Sequence, residues 1–185
     1  MTWQTVSFND IRPTPWRNGG GTTRELVAWP DSIAWQWRAS VAEVSRPGPF
    51  SSFAGVQRWF AVVQGDGVCL TIDGKQHSAT LNDEPLAFAG ASLTSCDLFG
   101  GATQDFNLMV QGSTQARMLR VNGSHQVKTI APKIIAVYTH NTKATVRFGS
   151  EKHDLLPSSF GWKPVLANVS VHIQASGALL MEIDL

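Results

Sequence analysis

The residues able to do chemistry are unevenly placed along this chain of 185 residues. Six of its nine arginines (Arg12, Arg17, Arg24, Arg38, Arg46 and Arg58) fall in the first 60 positions, whereas all six lysines lie beyond Gly74. Arginine presents a rigid planar fork that grips a carboxylate with two parallel hydrogen bonds and stacks on aromatic rings, while lysine is mostly a hydrated point charge. The same 60 positions hold Trp3, Trp16, Trp29, Trp35, Trp37 and Trp59, six of the seven tryptophans. Such rings can wall a pocket or hold a guanidinium by stacking. The alternative is an aromatic core with arginines snorkelling at its edge. Arginine sorted from lysine suggests a site, and the near-neutral charge of the chain suits a small neutral or anionic partner.

Strand alternation says which of these side chains can act together. In WQWRASVAEV, residues 35–44, it puts Trp35, Trp37, Ala39 and Val41 on one face and Gln36, Arg38, Ser40 and Ala42 on the other. In DFNLMV, residues 105–110, it groups Asp105, Asn107 and Met109 opposite Phe106, Leu108 and Val110. Each segment thus offers one polar face, either a half-exposed strand or a pocket lining. The stretch WRNGGGTTRE, residues 16–25, carries three consecutive glycines, expected where backbone turns sharply or approaches another group closely. It lacks the GxxxxGK[ST] pattern and leads into a strand, so it has no helix N-terminus for phosphate.

Other chemistries lack their residues. The histidines (His77, His125, His140, His153, His172) are never closer than thirteen positions and form no His-x-His pair, so no metal is expected, and they read as turn or surface positions. No GxSxG elbow supports a serine nucleophile. Cys69 and Cys96 have no CxxC spacing and read as buried thiols.

The elements that must position the arginines are strands. Apolar residues recur with period two in short runs separated by Gly, Asn, Asp or Pro, which makes an all-β protein. The expected strands cover residues 25–29, 35–44, 58–64, 68–72, 92–98 and 105–110, then 116–121, 134–139, 145–148, 169–174 and 178–183. Turns are expected at residues 65–67, 73–74, 100–101, 122–123, 140–141 and 176–177. Residues 61–110 laid over 136–185 at an offset of 75 show a faint repeat, in which Ala61-Val62 meets Ala136-Val137 and Gly74 meets Gly149. Two repeats of short strands make two small jelly-roll barrels, residues 1–110 and 111–185, joined near QGSTQ and packed into one unit.

The fifteen basic and fourteen acidic side chains nearly cancel, and 43% of the residues are hydrophobic. The chain lacks the basic excess that phosphate contacts need and the apolar run that a membrane span needs. It therefore reads as a cytoplasmic domain with no nucleic-acid or membrane partner. A homodimer is compatible with it.

Read together, WRNGGGTTRE, WQWRASVAEV, GPFSSFAGVQRWF and DFN resemble the HutD/Ves family of bacterial cupin-like proteins. The resemblance spans nearly the whole chain, with its specific motifs in the first 110 residues. It implies a double cupin (bicupin) without the usual cupin metal histidines, since the segment where those would stand reads SSFAGVQRWF. It also implies a link to histidine utilisation, through binding a pathway intermediate such as formylglutamate or urocanate. Arg17, Asn18, Thr22, Arg24 and Glu25 match the first motif; Trp37, Arg38 and Ser40 the second; Phe50, Ser51 and Arg58 the third; Asp105 and Asn107 the last.

The expectation is a binding protein without metal or cofactor. Its ligand-binding candidates are Arg17, Asn18, Arg24, Glu25, Trp37, Arg38, Ser40, Phe50, Ser51, Arg58, Asp105, Asn107 and Met109. Arg38 or Arg58 would clamp a carboxylate, Asn107 and Ser40 would bond an amide or imidazole, and Phe50, Trp37 and Met109 would wall the pocket. The rival is a metal-independent isomerase or hydrolase using Glu25 or Asp105 as acid or base.

Overall fold

A computed structural model describes residues 2–185. After β1 (Gln4–Ser7) and one 3-10 turn (Phe8–Asp10) come β2 (Thr14–Pro15), β3 (Gly21–Trp29), β4 (Trp37–Val44), β5 (Gly48–Pro49) and β6 (Val56–Gln64). Then follow β7 (Val68–Ile72), β8 (Lys75–Ala79), β9 (Leu86–Ala89), β10 (Thr94–Leu98) and β11 (Thr103–Gln111). The remainder forms β12 (Ala116–Lys128), β13 (Lys133–Thr139), β14 (Ala144–Phe148), β15 (Glu151–Leu155), β16 (Ser159–Val165) and β17 (Ser170–Asp184). Among the described residues no helix is long and apolar enough to cross a membrane.

The chain divides into two units: one is Ile11–Ser113, and the other joins the residues up to Asp10 to Thr114–Leu185. The division read from sequence fell at 110/111 and kept the first ten residues with the N-terminal barrel, whereas here β1 pairs with β16, Val6 opposite Phe160.

In the unit Ile11–Ser113, a six-stranded sheet in the order β2-β3-β4-β11-β6-β9 accompanies a four-stranded sheet in the order β5-β10-β7-β8. Val62, Phe60, Ala42 and Phe88 of the larger sheet form one buried cluster with Val68, Leu70, Ile72 and Cys96 of the smaller. Such β-branched and aromatic runs suit a pleated surface packed on another sheet. In the second unit, β1-β16-β13-β17-β14-β15 form one sheet, with β12 also paired to β17. Its cluster is aliphatic, including Val121, Ile135, Val137, Val146, Leu155, Ile173 and Leu180.

Each unit has one long strand paired on both sides. β11 lies between β4 and β6, with Arg58 opposite Met109; β17 lies between β12 and β13, with Lys133 opposite Asp184.

Two expected turns are something else. Asn122-Gly123 lies inside β12, and Ser176-Gly177 lies inside β17, which runs unbroken where two strands were expected. Asn122 pairs with Ser176 and Val121 with Ala178, so Gly177 is the extra residue of a β-bulge. Its φ of +80° explains why glycine is there.

Candidate functional site

A cavity of about 590 Å³ opens in the unit Ile11–Ser113, a size suited to a small metabolite. Strand alternation builds its floor: Arg38, Ser40 and Ala42 from β4, Arg58 from β6, and Asn107 and Met109 from β11. Of the other expected residues, Arg17, Asn18, Phe50 and Ser51 also line it, at the rim.

The rim loop owes its shape to the glycines. Gly19 takes a φ of +68°, the Gly20 amide donates to Asn18 Oδ1 at 3.0 Å, and the Trp16 amide donates to the Gly21 carbonyl at 2.9 Å. Gly21 has a different reason: a Cβ there would strike the backbone carbonyl of Glu43 on β4. Gly21→Ala is therefore expected to cost about 2–3 kcal/mol by pushing β3 off β4, whereas Gly19→Ala, in open space, costs about 1 kcal/mol through φ alone. Denaturant melts of the two variants check the ranking. Trp16 is fixed by its indole N–H donating to Thr23 Oγ1 at 2.7 Å and by its edge on Phe50, centroids 6.3 Å apart.

Arg58 is the central feature. Its side chain is 5% exposed, its Nη2 donates to Asn107 Oδ1 at 2.8 Å, and its guanidinium lies 5.2 Å from the rings of Phe50 and Phe88 and 5.9 Å from Phe53. Burial, and secondarily the Arg38 charge, push its pKa down from the ordinary guanidinium range to about 10. No carboxylate among the described residues reaches it within 4.0 Å. Arg38 is better matched: Nη1 is 3.6 Å from Glu25 Oε2, Nη2 donates to Met109 Sδ at 3.1 Å, and its guanidinium lies over Trp35 and Phe53 at 5.1 and 5.5 Å. Glu25 is 43% exposed, so water screens that ion pair to a small contribution. Phe53 thus stands against both cations.

Four expected residues do not line the cavity. Trp37 is buried to 1% exposure among core residues, on the face of β4 opposite Arg38, as alternation itself requires. Arg24 donates through Nε to the Ile11 carbonyl at 3.0 Å. Glu25 reaches the site only through Arg38. Asp105 lies wholly buried, accepting from Thr103 Oγ1 at 2.8 Å while its Oδ1 has no protein partner. Burial raises its pKa from 3.8 to about 7 against the opposing Thr103 bond. Asn107 lines the cavity, yet its amide is tied at both ends, Oδ1 to Arg58 and Nδ2 donating to the Asp105 carbonyl at 3.2 Å.

Sequence reasoning missed Pro15, Trp16, Thr23, Ala42, Pro49 and Phe53 as lining residues. Ala42 could have been found from its face of β4; Phe53, on a loop, offered only its place in GPFSSF. Trp35 precedes β4 and turns its ring to Arg38 instead of joining Trp37.

Cys96 is buried, with its thiol raised to about 12 by burial first and then by Asp105, Asp97 and Cys69; Cys69 is only half-buried. His77, His125, His153 and His172 stand in strands. Among the described residues no three His, Cys, Asp or Glu side chains gather closely enough to hold a metal ion.

The HutD family profile matches residues 8–181. A 21.2 kDa protein encoded in the hutC 3′ region of Pseudomonas putida is 37% identical over 137 residues, covering 71% of each chain. Protein Ves of Citrobacter koseri is 29% identical over 86% of this chain and 96% of its own. The structure of HutD from Pseudomonas fluorescens SBW25, obtained in a formate condition, superposes with a TM-score of 0.86 at 30% identity, covering 99% of this chain and 98% of that one. Bacillus subtilis oxalate decarboxylase OxdC shares the all-β cupin-like fold at 10% identity, with a TM-score of 0.65 over 97% of this chain and 76% of that one.

Proposed function

The chain belongs to the HutD family, and from that premise we propose that it is a double cupin whose N-terminal cavity binds a carboxylate-bearing intermediate of histidine breakdown, in the cytoplasm, to regulate histidine utilisation. Formylglutamate and urocanate have the required chemistry: one or two carboxylates beside an amide or an imidazole. The observation that carries the reading is Arg58, a buried cation without an anionic partner, beside Arg38 at the same cavity. A protein bears the desolvation cost of such a group when a bound anion supplies the counter-charge.

The lining supports binding rather than turnover. It contains cations, amides, hydroxyls, a thioether and aromatic rings, but no Asp, Glu, His or Cys to move a proton. The hutC-region relative is consistent with the pathway.

The test is calorimetric titration with histidine, urocanate, formiminoglutamate, formylglutamate and glutamate, followed by chromatography of the recovered ligand. Saturable binding of a carboxylate that returns chemically unchanged is the expected result; multiple turnovers would move the protein to the enzymes. Arg38→Lys keeps the charge but loses the planar fork, and is expected to weaken binding about tenfold with little change in thermal midpoint. Affinity and midpoint measured side by side check this.

A further inference from the structure

The cation at the floor of the cavity has a counterpart in the other unit, and the two differ in how their charge is met. Advancing residues 58, 107 and 109 by 75 gives 133, 182 and 184, and the strand register agrees: Arg58 faces Met109 and Phe60 faces Asn107, as Lys133 faces Asp184 and Ile135 faces Glu182. In the second unit the cation is neutralised by its own strand neighbour, with Lys133 Nζ 3.1 Å from Glu182 Oε2 and 3.6 Å from Asp184 Oδ1. In the first, the two anionic positions hold an amide and a thioether. Those neutral groups still accept from the guanidiniums, Asn107 from Arg58 and Met109 from Arg38, so they hold the cations in place without cancelling them.

We propose that Met109 and Asn107 are the specificity-determining residues of the cavity: by standing as neutral acceptors where the equivalent strand carries Asp184 and Glu182, they leave the guanidinium of Arg58, and that of Arg38 beyond its solvent-screened pair with Glu25, to be matched by a bound anion. Met109 has the leading part, being the register neighbour of both Arg38 on β4 and Arg58 on β6. A carboxylate in its place would lie between the two guanidiniums and do within the chain what the ligand is asked to do. The inference rests on the proposed anion site and assigns its selectivity to β11.

The comparison of Met109→Glu with Met109→Gln isolates charge from shape, since the two side chains are nearly isosteric with each other and with methionine. Formate is the probe, titrated into each protein and followed by tryptophan fluorescence and by the shift in thermal midpoint. Met109→Glu is expected to bind formate at least about tenfold more weakly than Met109→Gln. Without ligand, Met109→Glu should melt above Met109→Gln at about pH 8, and the difference should close as acid protonates the new carboxyl. Equal formate binding by the two variants, or no gain in midpoint at the higher pH, would overturn the proposal. If neither the unsubstituted protein nor Met109→Gln binds formate while the midpoint gain is seen, the uncompensated charge stands and the carboxylate ligand falls. Should a Met109 variant not fold, Asn107→Glu against Asn107→Gln decides on the same readouts.

Discussion

Arg58→Met is expected to remove carboxylate binding by at least about a hundredfold while raising stability by about 1–2 kcal/mol. Both effects come from the same atoms. Burial and the neighbouring Arg38 pull the pKa down from the ordinary guanidinium range to about 10, a displacement equivalent to about 3 kcal/mol of cost to the charged form at neutral pH. Above about pH 10 the folded chain has released a proton that the unfolded one still holds, so stability rises with pH there, and at neutral pH the penalty is present in full. Methionine relieves it and refills part of the space against Phe50 and Phe88. Lost with the guanidinium are its bond to Asn107 and its contacts with three rings, so the net gain is smaller than the penalty. Chemical denaturation together with calorimetry checks the pair of effects; a variant that loses both binding and stability would make Arg58 a structural residue.

Asp105→Asn is expected to abolish the largest acid-side change in the stability of the unit Ile11–Ser113. The unfolded carboxyl releases its proton near pH 3.8, whereas the buried one keeps it to about 7. Between these values the folded state binds more protons, so stability falls as pH rises, by up to about 4 kcal/mol once the pH exceeds both values. This is the reverse of the usual salt-bridged aspartate, because burial dominates and the one bond to the charged form, from Thr103 Oγ1, does not offset it. Asparagine is isosteric and cannot ionise. Urea midpoints from about pH 4 to 8 should decline for the natural sequence and stay nearly level for Asp105→Asn. Parallel curves would show that the carboxyl ionises without penalty.

The floor of the cavity was legible because strands announce their faces. Alternation alone put Arg38 with Ser40 and Asn107 with Met109, and all four line the cavity. The sorting of arginine from lysine pointed to the unit that holds the cavity. Alternation also set Trp37 away from Arg38, and placing it in the pocket wall followed the motif against that rule. The rim was less legible: Phe53 occupies a loop, and Pro15 and Pro49 belong to two-residue strands, where no period applies. The burial of Asp105 has no local signal, since a polar residue on an alternating strand reads the same whether its face meets water or a second sheet.

Three of the strands left unread lack the apolar alternation of a half-buried strand: Lys75–Ala79 is a polar hairpin partner, Glu151–Leu155 a charged one, and Ser159–Val165 contains Gly161 and Pro164. The pairing of β1 with β16 joins the two ends of the chain, and nothing in four residues of local sequence specifies so distant a partner. Asn122-Gly123 and Ser176-Gly177 have turn chemistry, and the chain uses the second glycine's freedom for a bulge. Charged edge strands and bulges both keep sheet edges from pairing with other chains.

The central claim is that Arg58 holds the ligand's carboxylate, and the most direct measurement is the nitrogen-15 spectrum of the arginine side chains during titration with formylglutamate or urocanate. The Nε–H signal of Arg58, assigned by its absence in Arg58→Met, should move to a saturated position in step with the calorimetric isotherm, with Arg38 moving alongside it and chloride at equal ionic strength having no such effect. A ligand that saturates the protein while the Arg58 signal stays in place would contradict the account.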